Sequence, residues 1–298
     1  MVEGADLVAA GLAAGARPQA LFVRADSPAH ASVQADSAFA GLPVFPISDA
    51  VAAHITSLET PPDMLAVFPQ LQPAPLAQLA GAGDFAGALV VYADHLADPG
   101  NLGTLIRAAA AFGAAAFVTS PDSADMLSPK VVRASMGAVF ALPLYADLDL
   151  SEVVAALNGL PRAQSGPSAP GKPSTSNGLR VYGLAAHGGQ RIDAARLTRP
   201  ALLCVGAERA GLSPQVQAGL DEALTIPLVA SVGDEAGTPA VAGEGEEAVG
   251  VESLSVGVES LNAGVAGAIA LYEFSRQRAA VTRAACEPVS TSIRSTDG

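Results

Sequence analysis

Residues 88–107 read ALVVYADHLADPGNLGTLIR, and this stretch decides the fold class. Its first seven residues are mainly apolar and lack the alternation of a half-exposed strand, which predicts a strand buried on both faces. The sequence Asp98-Pro-Gly is strong turn chemistry, and the apolar residues beyond it recur at helical spacing. We therefore predict a helix over residues 102–112, with Asn101 as its N-cap. A buried strand that leads through a turn into a helix is the repeating unit of parallel α/β sheets.

The same pattern recurs through residues 88–283 and indicates an α/β fold built on a parallel sheet. The final helix is long and rich in small residues, which permits close packing of its backbone. The further predicted elements are strands over 114–120, 181–186, 201–206 and 223–228 and helices over 128–136 and 262–280.

Shorter elements alternate in residues 1–69 and predict a small α/β domain. Its predicted elements are helices over 5–12 and 49–57 and strands over 20–23 and 42–47. The remaining segments have little periodicity and are rich in Gly, Pro, Ser or acidic residues. They are interpreted as a linker over 70–87, flexible insertions at 161–178 and 231–259, and a disordered tail over 284–298.

Charge limits the kind of partner that the protein can bind. A net charge of −13 over 298 residues argues against binding of nucleic acid through a broad basic surface. Seven of the acidic residues lie in 231–259, which holds no Lys or Arg. The rest of the chain is only mildly acidic, so any RNA contact would come from a local basic cluster.

The sequence offers no pattern typical of a metal site or a membrane protein. Cys204 and Cys286 are far apart in sequence, and the four histidines form no H-x-x-x-H pair, so we expect no metal. No apolar run approaches the roughly 20 residues needed to span a bilayer, and the N-terminus lacks the pattern of a signal peptide. A soluble, cytoplasmic protein is expected.

Two near-matches to nucleotide-binding motifs occur in the wrong context. Gly81 to Ala86 fit G-x-G-x-x-A, but they precede a strand where the motif should link a strand to a helix. Gly166 and Lys172 have the spacing of a phosphate-binding loop, but Pro173 stands where a Ser or Thr is needed. A nucleotide-dependent oxidoreductase is therefore not supported.

Two more segments could carry chemistry. Residues 206–213 (GAERAGLS) follow a buried strand, at the edge where open parallel sheets bind ligands, and Ser213 can cap the next helix. By itself, however, this segment is more simply interpreted as a tight connection. Ile226-Pro-Leu and residues 260–266 (SLNAGVA) form the other segment, in which Asn262 can cap the last helix. A small-residue helix in a core would explain that segment equally well.

Together and in order, these segments resemble the three motifs of the SpoU (TrmH-type) RNA 2′-O-ribose methyltransferases of the SPOUT superfamily. Asp98 to Arg107 match D-P-x-N-x-G-x-x-x-R, and Gly206 to Ser213 match G-x-E-x-x-G-L-S. Ile226-Pro, Ser260-Leu-Asn and Ala268 to Glu273 match I-P…S-L-N…A-x-x-x-Y-E. Residues 128–137 are also similar to the family, and the resemblance covers residues 88–280. Residues 2–4 and 65–68 resemble, more weakly, landmarks of the family's RNA substrate-binding domain.

The resemblance implies a parallel sheet with a C-terminal trefoil knot, S-adenosylmethionine as cofactor, and a homodimer with sites built across it. It implies an RNA substrate, ribosomal RNA ahead of transfer RNA, and methyl transfer to a ribose 2′-hydroxyl. By residue match, the implied cofactor-binding residues are Gly206, Ile226 and Leu261, and the implied catalytic residues are Asn101, Arg107, Glu208, Ser260 and Asn262. The candidates for RNA phosphate contacts are Lys130, Arg133 and Arg209. For Lys130 and Arg133, a solvated helix face is an equally good interpretation.

The role of Arg107 is open between two chemistries. The family assigns the general base to this arginine, but a guanidinium normally stays protonated. The alternative is that Arg107 fixes the adjacent phosphate or stabilises the developing alkoxide, while Asn101 and Glu208 orient it.

The third motif departs from the family pattern, because Leu261 lies 35 residues after Ile226, where the family has only a few. The insertion contains a near-repeat, residues 251–257 and 258–264, and the second copy is chosen because only it carries Asn262. The alternative function is a non-catalytic RNA- or cofactor-binding protein on the same scaffold.

Overall fold

The protein was analysed as a computed structural model, which describes residues 1–79, 88–158, 178–228 and 260–286, with side chains to residue 283. The strands are β1 Val2–Glu3, β2 Ala20–Arg24, β3 Val44–Ile47, β4 Met64–Val67, β5 Leu89–Asp94, β6 Ala116–Thr119, β7 Leu144–Tyr145, β8 Arg180–Leu184, β9 Gln190–Arg191, β10 Ala201–Gly206 and β11 Glu222–Thr225. The helices are α1 Ala5–Ala13, α2 Pro28–Ala35, α3 Asp49–Ile55, α4 Leu76–Leu79, α5 Pro99–Ala111, α6 Pro129–Ala134, α7 Leu150–Asn158, α8 Pro214–Gly219 and α9 Ala263–Cys286.

The larger of two sheets is parallel throughout the described residues. Its strand order is β7-β6-β5-β10-β8-β11-β9, and each neighbouring pair of strands runs in the same direction. All six residues of β5 and five of the six in β10 are buried, which explains their unbroken apolar sequence. Gly206 is paired with Asp94, so β10 and β5 end at the same edge of the sheet. The predicted parallel α/β sheet is confirmed.

The smaller sheet is mixed and lies in the first 67 residues, in the order β1-β4-β2-β3. Strand β2 pairs parallel with β3 and antiparallel with β4. Leu21 and Val23 of β2 pack in the same apolar core as Leu7 and Val8 of α1. Because its strands are short, this unit depends on the packing of buried side chains for its stability.

The two sheets are joined by direct contacts. The Arg133 guanidinium on α6 lies 3.4 Å from a carboxylate oxygen of Glu3, and it donates to Ser57 Oγ at 3.0 Å. The rings of Phe68 and Phe140 pack with centroids 5.1 Å apart. One apolar core contains residues of both sheets, so the first unit is packed against the larger sheet.

Helix α5 packs tightly on α6. A Cβ on Gly103 would lie 2.5 Å from the Ala134 Cβ and 2.8 Å from the Val131 carbonyl oxygen. A side chain at position 103 would therefore collide with the neighbouring helix, which explains the glycine in the first half of α5.

Some predicted boundaries were wrong. Helix α5 begins at Pro99, and Asp98 is its N-cap through a carboxylate that accepts from the Asn101 amide; Asn101 lies in the first turn. The strand predicted over 223–228 ends at Thr225, and the last helix continues to Cys286. The sequence analysis did not predict α2, α7, β4 or several two-residue strands.

The segments interpreted as linker, insertions and tail are described only in part. Helix α4 lies within the proposed linker and its Leu79 is fully buried, while residues 80–87 are outside the described residues. Apart from Gly178, both insertions (161–178 and 231–259) are outside the described residues. So is the tail beyond Cys286, whereas residues 284–286 belong to α9.

The described residues contain neither a membrane-spanning helix nor a group of side chains that could hold a metal ion. None of the helices that the structure describes is long and apolar enough to cross a membrane. In the same part of the chain, no group of three or more His, Cys, Asp or Glu side chains is arranged to hold a metal ion.

Candidate active site

Three side chains from distant parts of the sequence form one hydrogen-bonded group. The Asn262 Nδ2 donates to Asn101 Oδ1 at 2.7 Å and to Glu208 Oε1 at 2.8 Å. The Asn101 Nδ2 also donates to Glu208 Oε1. We call Asn101, Glu208 and Asn262 the polar cluster. It brings together one residue from each of the three segments singled out in the sequence.

Each member of the polar cluster is positioned by local backbone chemistry. Asn101 sits in the first turn of α5, whose start is fixed by the Asp98 cap. Asn262 precedes α9, and its Oδ1 accepts from the Val265 amide at 3.2 Å, as predicted for a capping residue.

Glu208 is carried by a loop that folds back on itself, residues 207–213. The Gly211 amide donates to the Ala207 carbonyl at 2.7 Å, and Gly211 adopts a positive φ of 68° that glycine tolerates well. A Cβ on Gly206 would lie 2.5 Å from the Leu212 amide nitrogen, so the returning chain occupies the space that a side chain would need. We call residues 207–213 the Glu208 loop.

A pocket lies beside the polar cluster, at the carboxyl ends of β8, β10 and β11. Its space is about 630 Å³ when the part open to solvent is included. The predicted site residues among its lining are Gly206, Glu208, Ile226, Ser260 and Leu261. Its other lining residues are Leu184, Ala185, Ala186, Val205, Ala207, Gly211, Leu228, Ala263 and Ala266.

The lining is apolar apart from main-chain groups, the Ser260 hydroxyl and one carboxylate. Among the described residues that line the pocket, Glu208 is the only charged one. A single carboxylate in an otherwise apolar lining favours a ligand that carries a positive charge.

Arg107 lies outside both the polar cluster and the pocket lining. It is six residues after Asn101, which places it about 120° around α5 from that residue. Arg107 is exposed, and within the described ranges no side chain bonds to it. One chain alone therefore does not bring Arg107 to the polar cluster.

The three candidate phosphate contacts differ in their surroundings. Lys130 on α6 and Arg209 in the Glu208 loop are exposed. Arg133 is partly buried and already pairs with Glu3 and Ser57 in the smaller sheet unit. This pairing gives Arg133 a structural function between the two sheets.

The sequence analysis missed part of the lining. Leu184 ends β8, Ala185 and Ala186 follow it, and all three line the pocket. They could have been predicted from their position at the carboxyl end of a buried strand at the same sheet edge, but no polar or glycine motif accompanies them. Asp94, the carboxylate at the end of β5, was rejected as a ribose-binding acid because no nucleotide-binding loop precedes it, and it was not among the predicted site residues.

Comparison with known proteins agrees with the family suggested by the motifs. Residues 88–163 match the model of the SpoU rRNA Methylase family. A 23S rRNA (uridine(2479)-2′-O)-methyltransferase from Streptomyces viridochromogenes is 31% identical over 173 residues, which are 58% of this chain and 55% of that protein. The chain thus spans little more than half the length of this curated relative.

Two solved structures share the fold over most of the chain. The SpoU methyltransferase AviRb from Streptomyces viridochromogenes, in complex with AdoMet, has a TM-score of 0.68 at 24% identity and covers 93% of this chain and 89% of its own. An AdoMet-bound rRNA methyltransferase from Sinorhizobium meliloti has a TM-score of 0.64 at 25% identity, covering 92% and 86%. The comparisons support the family predicted from the three motifs: residues 88–163 match its model, and the relative and the two solved structures bear the names of SpoU or rRNA methyltransferases.

Proposed function

We propose that the protein transfers a methyl group from S-adenosylmethionine to a ribose 2′-hydroxyl of RNA. The observation that carries this proposal is the polar cluster beside an apolar pocket, with Glu208 belonging to both. The names of the relatives support it, since one is a 23S rRNA 2′-O-methyltransferase and another is an AdoMet-bound rRNA methyltransferase.

The lining and the charge of the pocket suit S-adenosylmethionine. Gly206, Ile226 and Leu261 would contact the cofactor, and main-chain groups of the lining would meet its polar atoms. The Glu208 carboxylate would attract a positively charged sulfur in the pocket. When bound, the cofactor supplies a methyl group on a sulfonium, from which the sulfur departs readily.

The polar cluster and Ser260 would hold the ribose. Methyl transfer needs the 2′-oxygen aligned behind the methyl group, and such alignment is a large part of catalysis. Asn101 and Asn262 offer amide donors and acceptors for a hydroxyl, and the Ser260 hydroxyl lines the same pocket. The cluster is already hydrogen-bonded internally, so its side chains need little reordering when the ribose binds.

Arg107 would act at a site completed by a second copy of the chain. It is exposed, and no described residue of its own chain bonds to it. A guanidinium there would bind an RNA phosphate or stabilise the alkoxide that develops on the ribose, and a role as general base remains the family's assignment.

A homodimer is supported by an exposed apolar stripe on α9. Val265, Ile269 and Tyr272 are 46%, 38% and 54% exposed and follow one another at i, i+4 and i+7. Helix α9 packs beside α5, where the Phe112 ring contacts Tyr272 edge-on, so the stripe adjoins the helix that carries Arg107. Substitution Ile269→Asp should convert a dimer to a monomer in sedimentation velocity; an unchanged sedimentation coefficient would contradict this interface.

We also propose the remaining features that the family implies. These are a trefoil knot in the larger sheet, RNA binding by residues 1–69 with contacts from Lys130 and Arg209, and a ribosomal RNA substrate. The name of the Streptomyces relative supports the ribosomal substrate, which would also place the protein in the cytoplasm. Knotting is supported by the shared fold and by strand β10, which lies between the earlier strands β5 and β8.

The activity can be tested with S-adenosylmethionine labelled in its methyl group and RNA from cells that lack this protein. Label should appear in 2′-O-methylated nucleosides identified by mass spectrometry. Substitution Asn262→Ala should lower the rate about 100-fold, as expected for a lost orienting group. The control Gln215→Ala alters an exposed amide on α8 and should leave the rate unchanged. Cofactor binding without incorporation would favour the non-catalytic alternative, and the absence of both would refute the proposal.

A further inference from the structure

Asp94 is a buried carboxylate to which the proposed mechanism assigns no function. It is the last residue of β5, at the sheet edge where the pocket lies, and it is only 1% exposed. Burial of an ionised carboxylate is costly unless hydrogen bonds compensate it. The contacts of Asp94 therefore show what the fold gains from placing a carboxylate there.

Both oxygens of Asp94 bond to the end of the Glu208 loop. The Ser213 amide donates to Oδ2 at 2.6 Å, and the Ser213 hydroxyl donates to Oδ1 at 3.3 Å. These bonds join residues 119 positions apart in sequence. Hydrogen bonds to a charged acceptor are stronger than neutral ones. Asp94 thus anchors the loop at the point where it enters α8.

The Glu208 loop has a second anchor at its other end. Gly206 packs directly against the returning chain, and Gly211 bonds to the Ala207 carbonyl. Glu208 lies between these two anchors, and its carboxylate reaches the two asparagines of the polar cluster. Loss of the Ser213 anchor would leave the loop held at one end only.

Asp94 is also covalently next to the turn that leads into α5. His95 Nδ1 lies 2.8 Å from Asp94 Oδ1, and the His95 amide donates to Ser120 Oγ at 2.8 Å. His95 has a positive φ of 53°, a conformation that few non-glycine residues adopt without support. The turn ends three residues later at Asp98, which caps the helix that carries Asn101.

We infer that Asp94 is a positioning residue, which ties the Glu208 loop to the α5 turn and so sets the distance between Glu208 and Asn101. Its carboxylate bonds to Ser213 and His95, neither of which belongs to the pocket lining or the polar cluster, and it acts through Ser213. This inference deepens the proposed function and rests on it for the effect on rate. The effect on the loop itself rests only on the contacts of Asp94.

The test compares Asp94→Asn with wild type by hydrogen exchange and by methyl-transfer kinetics. An asparagine removes the negative charge and replaces one acceptor oxygen with an N–H₂ group, so the charge-assisted bond from the Ser213 amide is weakened. Amides of residues 207–213 should exchange about tenfold faster. The kcat should fall about tenfold or more, because small misplacements of reacting groups are costly.

A matched control separates positioning from general loss of structure. The Asp221 carboxylate accepts from the Val181 amide at 2.9 Å, near the start of β8 and at the opposite end of the sheet from the pocket. Asp221→Asn should speed exchange at Val181 and leave both the Glu208 loop and kcat unchanged. Ser213→Ala, which keeps the amide bond to Asp94, is a milder variant to use if Asp94→Asn does not fold; loop exchange should rise about threefold.

A double-mutant cycle tests whether Asp94 acts through Glu208. In a Glu208→Ala background, Asp94→Asn should lower kcat by less than about twofold, because the group that it positions is already gone. Independent, multiplicative losses would overturn the inference. So would wild-type exchange of residues 207–213 in both the Asp94→Asn and Ser213→Ala proteins. If the wild-type protein transfers no methyl group, the proposed function fails, and loop exchange alone then decides the inference.

Discussion

Substitution Gly206→Ala should displace the Glu208 loop and weaken cofactor binding. A Cβ at this position would lie 2.5 Å from the Leu212 amide nitrogen, and it would be equally crowded by the Gly211 backbone. Ordinary contacts begin at 3.4 Å, so the overlap is nearly 1 Å against main chain that cannot rotate away. Either the loop or the end of β10 must move by a comparable distance.

The expected magnitude follows from the cost of overpacking. Forcing extra volume into a well-packed site costs about 1–3 kcal/mol. We expect the loop to relieve this strain by moving away from the pocket, so that the cost appears as weaker cofactor binding. Since about 1.4 kcal/mol corresponds to a tenfold change, the affinity for S-adenosylmethionine should fall roughly 5- to 140-fold. Isothermal titration calorimetry of both proteins measures this ratio.

The matched control is Gly219→Ala. Its Cβ would meet the Leu150 Cδ2 at 2.9 Å, the movable end of a flexible side chain, at the C-terminal end of α8. That variant should bind the cofactor as wild type does. The reasoning would be refuted if Gly206→Ala bound with wild-type affinity, or if both variants lost the same amount.

Two further predictions concern groups with shifted pKa values. Burial, and then the charge of Asp94, raises the pKa of the Cys204 thiol. Because the thiolate is the reactive form, Cys204 should resist alkylation at pH 8 in the native protein and should react after denaturation. Peptide mapping by mass spectrometry checks this, and rapid labelling of native protein would contradict it. The pKa of Glu273 is lowered by its hydrogen bond from Arg276, and then by one from Gln277. A lowered folded pKa means that the stabilisation is present above the usual glutamate range and is lost as pH falls through the folded value. The difference in unfolding free energy between wild type and Glu273→Gln, measured by urea titration, should therefore shrink as the pH falls from 6 to 3. A difference that does not change with pH would show that ionisation of Glu273 does not contribute to stability.

The buried sheet was the most predictable part of the fold. Strands β5 and β10 are covered on both faces, so their sequences are apolar without alternation and cannot be mistaken for surface segments. Less of the smaller sheet was predictable, because β1 and β4 are short and their burial depends on partners distant in sequence. Local sequence does not encode such long-range pairing.

Capping was harder to predict than the helices themselves. Asp98 and Asn101 are both good N-cap residues, and only the observed bond from the Asn101 amide to Asp98 decides between them. The close approach at Gly103 is made by α6, which no local pattern around α5 specifies.

The convergence of the polar cluster depends on topology. Asn101, Glu208 and Asn262 are each ordinary loop or helix-start residues in their own segments. They meet because β5 and β10 are adjacent parallel strands, and because α9 returns to pack beside α5. Asp94 contacts the Glu208 loop because β5 and β10 are neighbouring strands, and motif spacing alone does not reveal that they are neighbours.

A crystal structure of the protein with S-adenosylmethionine would test the central claim most directly. The cofactor should occupy the pocket lined by Gly206, Ile226 and Leu261, with its methyl group facing Asn101, Glu208 and Asn262. Binding at another surface, or an empty pocket at millimolar cofactor, would contradict the account.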